Sequence, residues 1–173
     1  MEWSWLSAIW PQSEVLLNAT QAAQGVEHMG SDARVACVRE AVGSSRRISM
    51  AAVGGSITAG SSFTASTGGA AHLYHRKVMS ALNARHPVPG GHGVLNGGVP
   101  GTGPTYMEHC VQDHLPVDVD LVLLEYAVNV DRHPAAFERL LRRILRHPRQ
   151  PALIVVNAHR WRAIRPHGAN KIE

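Results

Sequence analysis

Apolar positions in this chain fall into two alternating rhythms. Four short runs are almost continuously apolar: Ile48-Ser49-Met50-Ala51-Ala52-Val53, Gly93-Val94-Leu95-Asn96, Asp120-Leu121-Val122-Leu123-Leu124-Glu125-Tyr126 and Ala152-Leu153-Ile154-Val155-Val156-Asn157. Between them, residues 70–85, 104–114 and 134–147 read as helices. Continuously apolar strands separated by helices predict an α/β domain, with a parallel sheet covered on both faces. Residues 1–45 lack strand alternation and read as helical pieces, a lead-in to the main domain over 46–173. Within the lead-in, Ser31-Asp32 is expected to cap a helix running from Ala33 to Val42.

Parallel sheets bind ligands beyond the carboxyl ends of their strands. Candidate chemistry is therefore sought in residues 54–60, 96–103, 127–131 and 157–160. The first of these loops, Gly54-Gly55-Ser56-Ile57-Thr58-Ala59-Gly60, places a serine in a glycine turn after a strand, which leaves a hydroxyl uncovered and available as a nucleophile. The second, Asn96-Gly97-Gly98-Val99-Pro100-Gly101-Thr102-Gly103, offers backbone amides to a developing oxyanion. The third contributes the Asn129 side-chain amide.

Composition is that of a globular chain: 173 residues, 45% hydrophobic and 17% charged. The net charge of +4 owes much to Arg139, Arg142, Arg143, Arg146, Arg149, Arg160, Arg162 and Arg165, on and beyond the last helix. Phe137, Leu140, Leu141, Ile144 and Leu145 form the expected buried stripe of that helix, with the arginines on its wet face. No aromatic residues interleave as base-stacking platforms, so no nucleic-acid partner is expected. Cys37 and Cys110 are too few for a disulfide framework and lie in no metal-binding spacing. Residues 1–17 carry Glu2 and Pro11 within a short apolar stretch and lack a basic start. No signal peptide or membrane span is expected of them.

Three alternatives fail, two on a single residue and one on spacing. The Gly55 to Gly60 spacing of a phosphate loop is followed by Ser61-Ser62, without the required lysine. Thr58 occupies the second glycine position of a G-x-S-x-G elbow. The histidines His72 and His75, and the group His109, Asp113 and His114, lack a supporting ligand spacing and read as solvated helix residues, so no metal site and no cofactor are expected.

Taken together, the blocks GGSIT, NGGVPGTG and EYAVNV resemble those of the SGNH (GDSL-type) hydrolases, and the likeness covers residues 46–160. The resemblance implies a three-layer α/β/α fold of flavodoxin-like strand order 2-1-3-4, with the final edge strand missing from this chain. It also implies a serine ester hydrolase. Ser56 would be the nucleophile, and the Ser56 amide, the Gly101 amide and the Asn129 side chain would form the oxyanion hole. The implied substrate is a small-molecule, carbohydrate or lipid ester.

Two departures from the family pattern stand out. Val130 occupies the position where the family usually has Asp. The family's Asp-x-x-His block, which supplies the base, is not found after the fourth strand. His159 follows that strand on the correct rim, but two strand spacings of the implied order put it about 10 Å from the first strand. His167 is not placed by the pattern. The expectation is a domain incomplete at its C-terminus, with apolar surface exposed on the fourth strand. It would be either a serine esterase or a non-catalytic SGNH-like binding or structural domain.

Overall fold

A computed structural model describes residues 18–61, 69–129 and 134–158. Its centre is a four-stranded sheet of β1 (Ser49–Gly54), β2 (Gly93–Asn96), β3 (Leu121–Glu125) and β4 (Ala152–Val155), in the order β2-β1-β3-β4. Every pairing is parallel. The expected α/β layering and strand order are both found. Among the described residues the helices are α1 (Ala19–Gln24), α2 (Ala33–Gly43), α3 (Ser56–Ala59), α4 (Tyr74–Arg85), α5 (Pro104–Cys110) and α6 (Pro134–Leu145). None is long and apolar enough to cross a membrane.

Alternation along β1 and β3 divides the core between the two sheet faces. Ala51, Val53, Val122 and Leu124 meet Met107 of α5 and Leu140 and Ile144 of α6 on one face. On the other, Met50, Ala52 and Leu123 meet Met79 of α4, with Tyr74 and Leu82 packed alongside. Small residues at Ala51 and Ala52, both fully buried, let the helices approach the central strand closely. Burying a side chain such as Leu124 or Leu140 completely stabilises the fold by about 1.5–3 kcal/mol each.

Local sequence reshapes three of the expected helices. The helix over 70–85 is divided: a 3-10 turn, Gly69–His72, is followed by extended Leu73, and α4 begins at Tyr74. Leu73 is buried, and a Cβ at Gly60 would lie 2.7 Å from its Cδ2. Seating that side chain over the glycine costs the helix its continuity. The helix over 104–114 is broken at Cys110, where φ is −124° and ψ is 13°, and closes with a 3-10 turn, Val111–His114. At the start of α2, Asp32 is left-handed with φ 56° and makes no side-chain cap. Its carboxylate instead accepts from Arg39 Nη2 at 2.9 Å.

The arginines of the last helix are exposed as expected, and the departures are in its buried stripe and in the partner of Arg139. Leu140 and Ile144 are buried as expected, and Ala136 joins them, but Leu145 is exposed. Arg139 does not simply face water: its Nη2 donates to Oε1 of Glu108 at 2.9 Å, and that carboxylate is buried beneath it on α5. Arg142 pairs with Glu138 one turn earlier, at 2.7 Å on the open surface.

Among the described residues β4 lies at the edge of the sheet, beside α2. Ile154 and Val155 are 41% and 45% exposed there, the apolar surface expected on the fourth strand. Arg34 of α2 crosses to this edge and donates to the carbonyl oxygens of Leu145 and Pro151.

Candidate active site

The strand order reverses direction between β1 and β3, so the chain leaves their carboxyl ends toward opposite sides, the place where open α/β sheets bind ligands. Ser56 follows β1 and Asn129 follows β3. The loop after β2, residues 97–103, lies beside both. Three rim loops that are far apart in sequence thus converge on one point.

Ser56 is the first residue of α3, with Gly55 as its N-cap, and its side chain is exposed. First-turn amides of a helix have no intrahelical acceptor. The turn is closed behind Ser56 by Ala59 N donating to Gly55 O at 2.9 Å and Gly60 N donating to Ser56 O at 3.0 Å. The hydroxyl therefore stands on a short hydrogen-bonded platform at the sheet rim.

The loop after β2 is laid directly on that platform. Gly97 N donates to Ala52 O at 2.8 Å and Val99 N to Gly54 O at 3.0 Å, which extends the β1–β2 ladder past the end of β2. Asn96 Oδ1 accepts from Gly98 N at 3.0 Å, holding the first bend as an Asx turn does. At Gly98 the two backbones almost touch, since a Cβ would sit 2.8 Å from the Thr58 carbonyl carbon. Only glycine permits that approach. Gly101 is left-handed with φ 73°, exposed, and faces open space.

Asn129 ends a 3-10 turn, Ala127–Asn129, that starts as β3 finishes. Its backbone amide donates to Tyr126 O at 2.8 Å. Its side chain lies beside the serine turn: a Cβ at Gly55 would be 3.2 Å from Asn129 Oδ1 and 3.5 Å from Thr102 O. A Cβ at Gly103 would lie 3.9 Å from Asn129 Cβ. Asn129 is thus flanked by the first loop on one side and the second on the other. His159, Val130 and Asp131 lie outside the described residues.

Beneath these exposed groups is a buried polar layer that the sequence pattern does not reveal. Thr58 Oγ1 donates to Glu125 Oε2 at 3.3 Å, and the Tyr74 hydroxyl lies 3.1 Å from the same threonine oxygen. Glu125 and Thr58 are both inaccessible to solvent, and Glu125 Oε1 has no partner. Burial raises the Glu125 carboxyl above its ordinary pKa, an effect partly offset by the Thr58 hydrogen bond. Burial likewise pushes Tyr74 up to about 12. On the opposite sheet face, Thr102 Oγ1 donates to Val99 O at 2.7 Å and lies 3.3 Å from the Tyr126 hydroxyl. Tyr126 is buried and also pushed up to about 12.

His75, expected to be a solvated helix residue, is instead completely buried in the first turn of α4. Both ring nitrogens lack partners, and its ring packs edge-on against Tyr74 with centroids 5.1 Å apart. Burial, reinforced by the charge of Arg76, lowers it to about 4. It is held as a neutral ring.

No known family's sequence model matches the chain, and no curated protein matches it. Among solved structures the chain is similar to a two-domain esterase active on acetylated mannans, co-crystallised with mannopentaose, at TM-score 0.68 and 22% identity. A second structure of a two-domain esterase active on acetylated mannans gives TM-score 0.66 and 22% identity. Each likeness covers 77% of this chain and 36% of the esterase chain. The chain therefore spans about a third of the length of these neighbours, and the likeness establishes the shared α/β fold.

Proposed function

We propose that the chain carries a serine ester hydrolase site in which Ser56 attacks the acyl carbon of an ester. The observation that carries this reading is the approach of Asn129 to Gly55, which puts a side-chain amide next to the serine turn, beyond the carboxyl ends of β1 and β3 where the strand order reverses. Ester hydrolysis by this route needs a hydroxyl at the rim and donors for the charge that develops on the carbonyl oxygen. The Ser56 amide, the Gly101 amide and Asn129 Nδ2 fill the donor roles. The resemblance to SGNH hydrolases assigns the same roles to the same residues.

In the first step Ser56 Oγ bonds to the acyl carbon, its proton passes to a base, and the carbonyl oxygen takes up negative charge facing the three donors. Collapse expels the alcohol, which leaves with a proton. Water then attacks the acyl-serine and releases the acid, restoring the hydroxyl. A serine hydroxyl is a poor nucleophile without a base; the family's Asp-x-x-His block is not found, and His159, which follows β4 in sequence, is the candidate proposed for that role. The structural neighbours act on acetylated mannans. The substrate class proposed here is accordingly an acetylated carbohydrate, whose acetyl group is small enough for an open rim.

A fluorophosphonate probe, which phosphonylates activated serine hydroxyls, tests the nucleophile without requiring the natural substrate. Peptide mass spectrometry is expected to find the adduct on Ser56 and to find it reduced in His159→Ala. Labelling spread over other serines, or none on Ser56, overturns the assignment.

A further inference from the structure

The last residue of β3 and the one after it point to opposite faces of the sheet, and each meets a threonine from a different rim loop. On one face a chain of hydroxyls runs from Tyr74 through Thr58 to Glu125 Oε2. Because the Thr58 proton is directed at the carboxyl group, the Tyr74 hydroxyl is the donor to Thr58. On the other face a matching chain runs from Tyr126 through Thr102 to Val99 O. Here the Thr102 proton goes to Val99 O, so the Tyr126 hydroxyl donates to Thr102. Thr58 lies two residues after Ser56, and Thr102 directly follows Gly101.

We infer that Glu125 and Tyr126 are positioning residues that set the two halves of the site independently: Glu125 through Thr58 fixes the serine turn, and Tyr126 through Thr102 fixes the glycine loop. This assignment rests on the proposed role of Ser56 as nucleophile. Neither residue reaches solvent, so neither touches substrate. Glu125 ends β3 and Tyr126 directly follows it, so both are carried by a strand whose backbone is locked by pairing to β1 and β4. The β1–β3 register sets Gly54 opposite Glu125, which puts the carboxylate-bearing residue level with the entry to the serine turn. A rigid strand bonded to two loops holds their relative position more tightly than loop–loop contacts alone, and displacements of about 1 Å in a catalytic constellation can cost about 100-fold in rate.

The placement also accounts for a buried carboxyl group with one oxygen unpartnered. Such a group costs the fold stability, so its presence calls for a role that its position serves. Here that position supplies an acceptor to Thr58, two residues after Ser56, one that an apolar residue of the same size cannot supply.

Segment-resolved hydrogen exchange combined with ester kinetics tests the inference on the intact chain. Thr58→Val and Tyr126→Phe each remove one hydroxyl while keeping most of the side-chain shape. Thr58→Val is expected to speed exchange about fivefold, the effect of losing one typical hydrogen bond, at the amides of Ala59, Gly60 and Ser61 only. Tyr126→Phe should do the same at Val99 and Thr102 only. Amides within β1 and β3 should keep their protection in both variants. Each variant is expected to lower kcat about tenfold with KM little changed, and Thr58→Ser, which restores the hydroxyl, should recover both exchange and kcat. Unchanged exchange in both loops, or acceleration spread evenly through β1 and β3, overturns the inference. Should the wild-type chain turn over no ester, the loop-specific exchange pattern still decides the bracing, while the loss of turnover counts against the hydrolase reading alone.

Discussion

Asn129 Oδ1 stands against the α-carbon of Gly55, so close that a methyl group there would lie 3.2 Å from it. The contact joins the loop after β3 to the turn that carries Ser56, and its consequence is that position 55 controls Asn129. Gly55→Ala is expected to push the Asn129 side chain aside and reduce kcat by about 10–100-fold, while the melting temperature, which reports the core, changes little. Steady-state ester kinetics beside a thermal melt separate the two effects.

Asn129→Ala removes a donor without adding bulk. Loss of a single oxyanion donor costs about 3 kcal/mol of transition-state stabilisation, a fall of about 100- to 1000-fold in kcat with KM nearly unchanged. A rise in KM at constant kcat would identify Asn129 as a ground-state binding residue instead.

His75 gives the fold a specific sensitivity to acid. Its folded pKa of about 4 lies below the ordinary value of 6.5, so the unfolded chain binds a proton that the folded chain refuses. The neutral ring's contribution to stability is fully present above pH 6.5 and is lost as pH falls from there toward 4, by an amount of order 1–3 kcal/mol. His75→Met fills similar space without a titrating group. Chemical denaturation of both proteins between pH 4 and 7 should show a shallower decline for the variant.

The two ion pairs of α6 should behave differently. Arg142 and Glu138 are both largely in water, so breaking their pair has little effect. Arg139 covers a carboxylate on Glu108 that is nearly inaccessible to solvent, and its removal strips that carboxylate of both guanidinium hydrogen bonds, leaving His109 at 3.6 Å beside it. Arg139→Leu is therefore expected to lower the melting temperature clearly more than Arg142→Leu, and the double variant Arg139→Leu with Glu108→Leu to recover most of the loss.

How far the sequence reveals these features follows from the range of the interactions involved. Strand positions are local matters of apolar composition and turn residues, and the four apolar runs coincide with the strands to within a residue or two. The rim residues were also visible, because glycine, serine and asparagine just past strand ends have few other reasons to cluster. The divided helix at Leu73 was not visible, since it depends on Gly60, which is brought beneath it only by the fold. His75 and Glu125 escaped for the same reason. A polar side chain on a helix or at a strand end reads as solvent-facing until the packing around it is known. Arg139 is the converse case, a residue on a wet face that is committed to a buried partner on another helix.

The central claim is that Ser56 is the nucleophile of an ester hydrolase, and acetate release from acetylated mannan tests it most directly. The wild-type chain should release acetate at a rate proportional to enzyme concentration, and Ser56→Ala, folded with an unchanged melting temperature, should be slower by about 1000-fold or more. Equal rates for the two proteins would contradict the account.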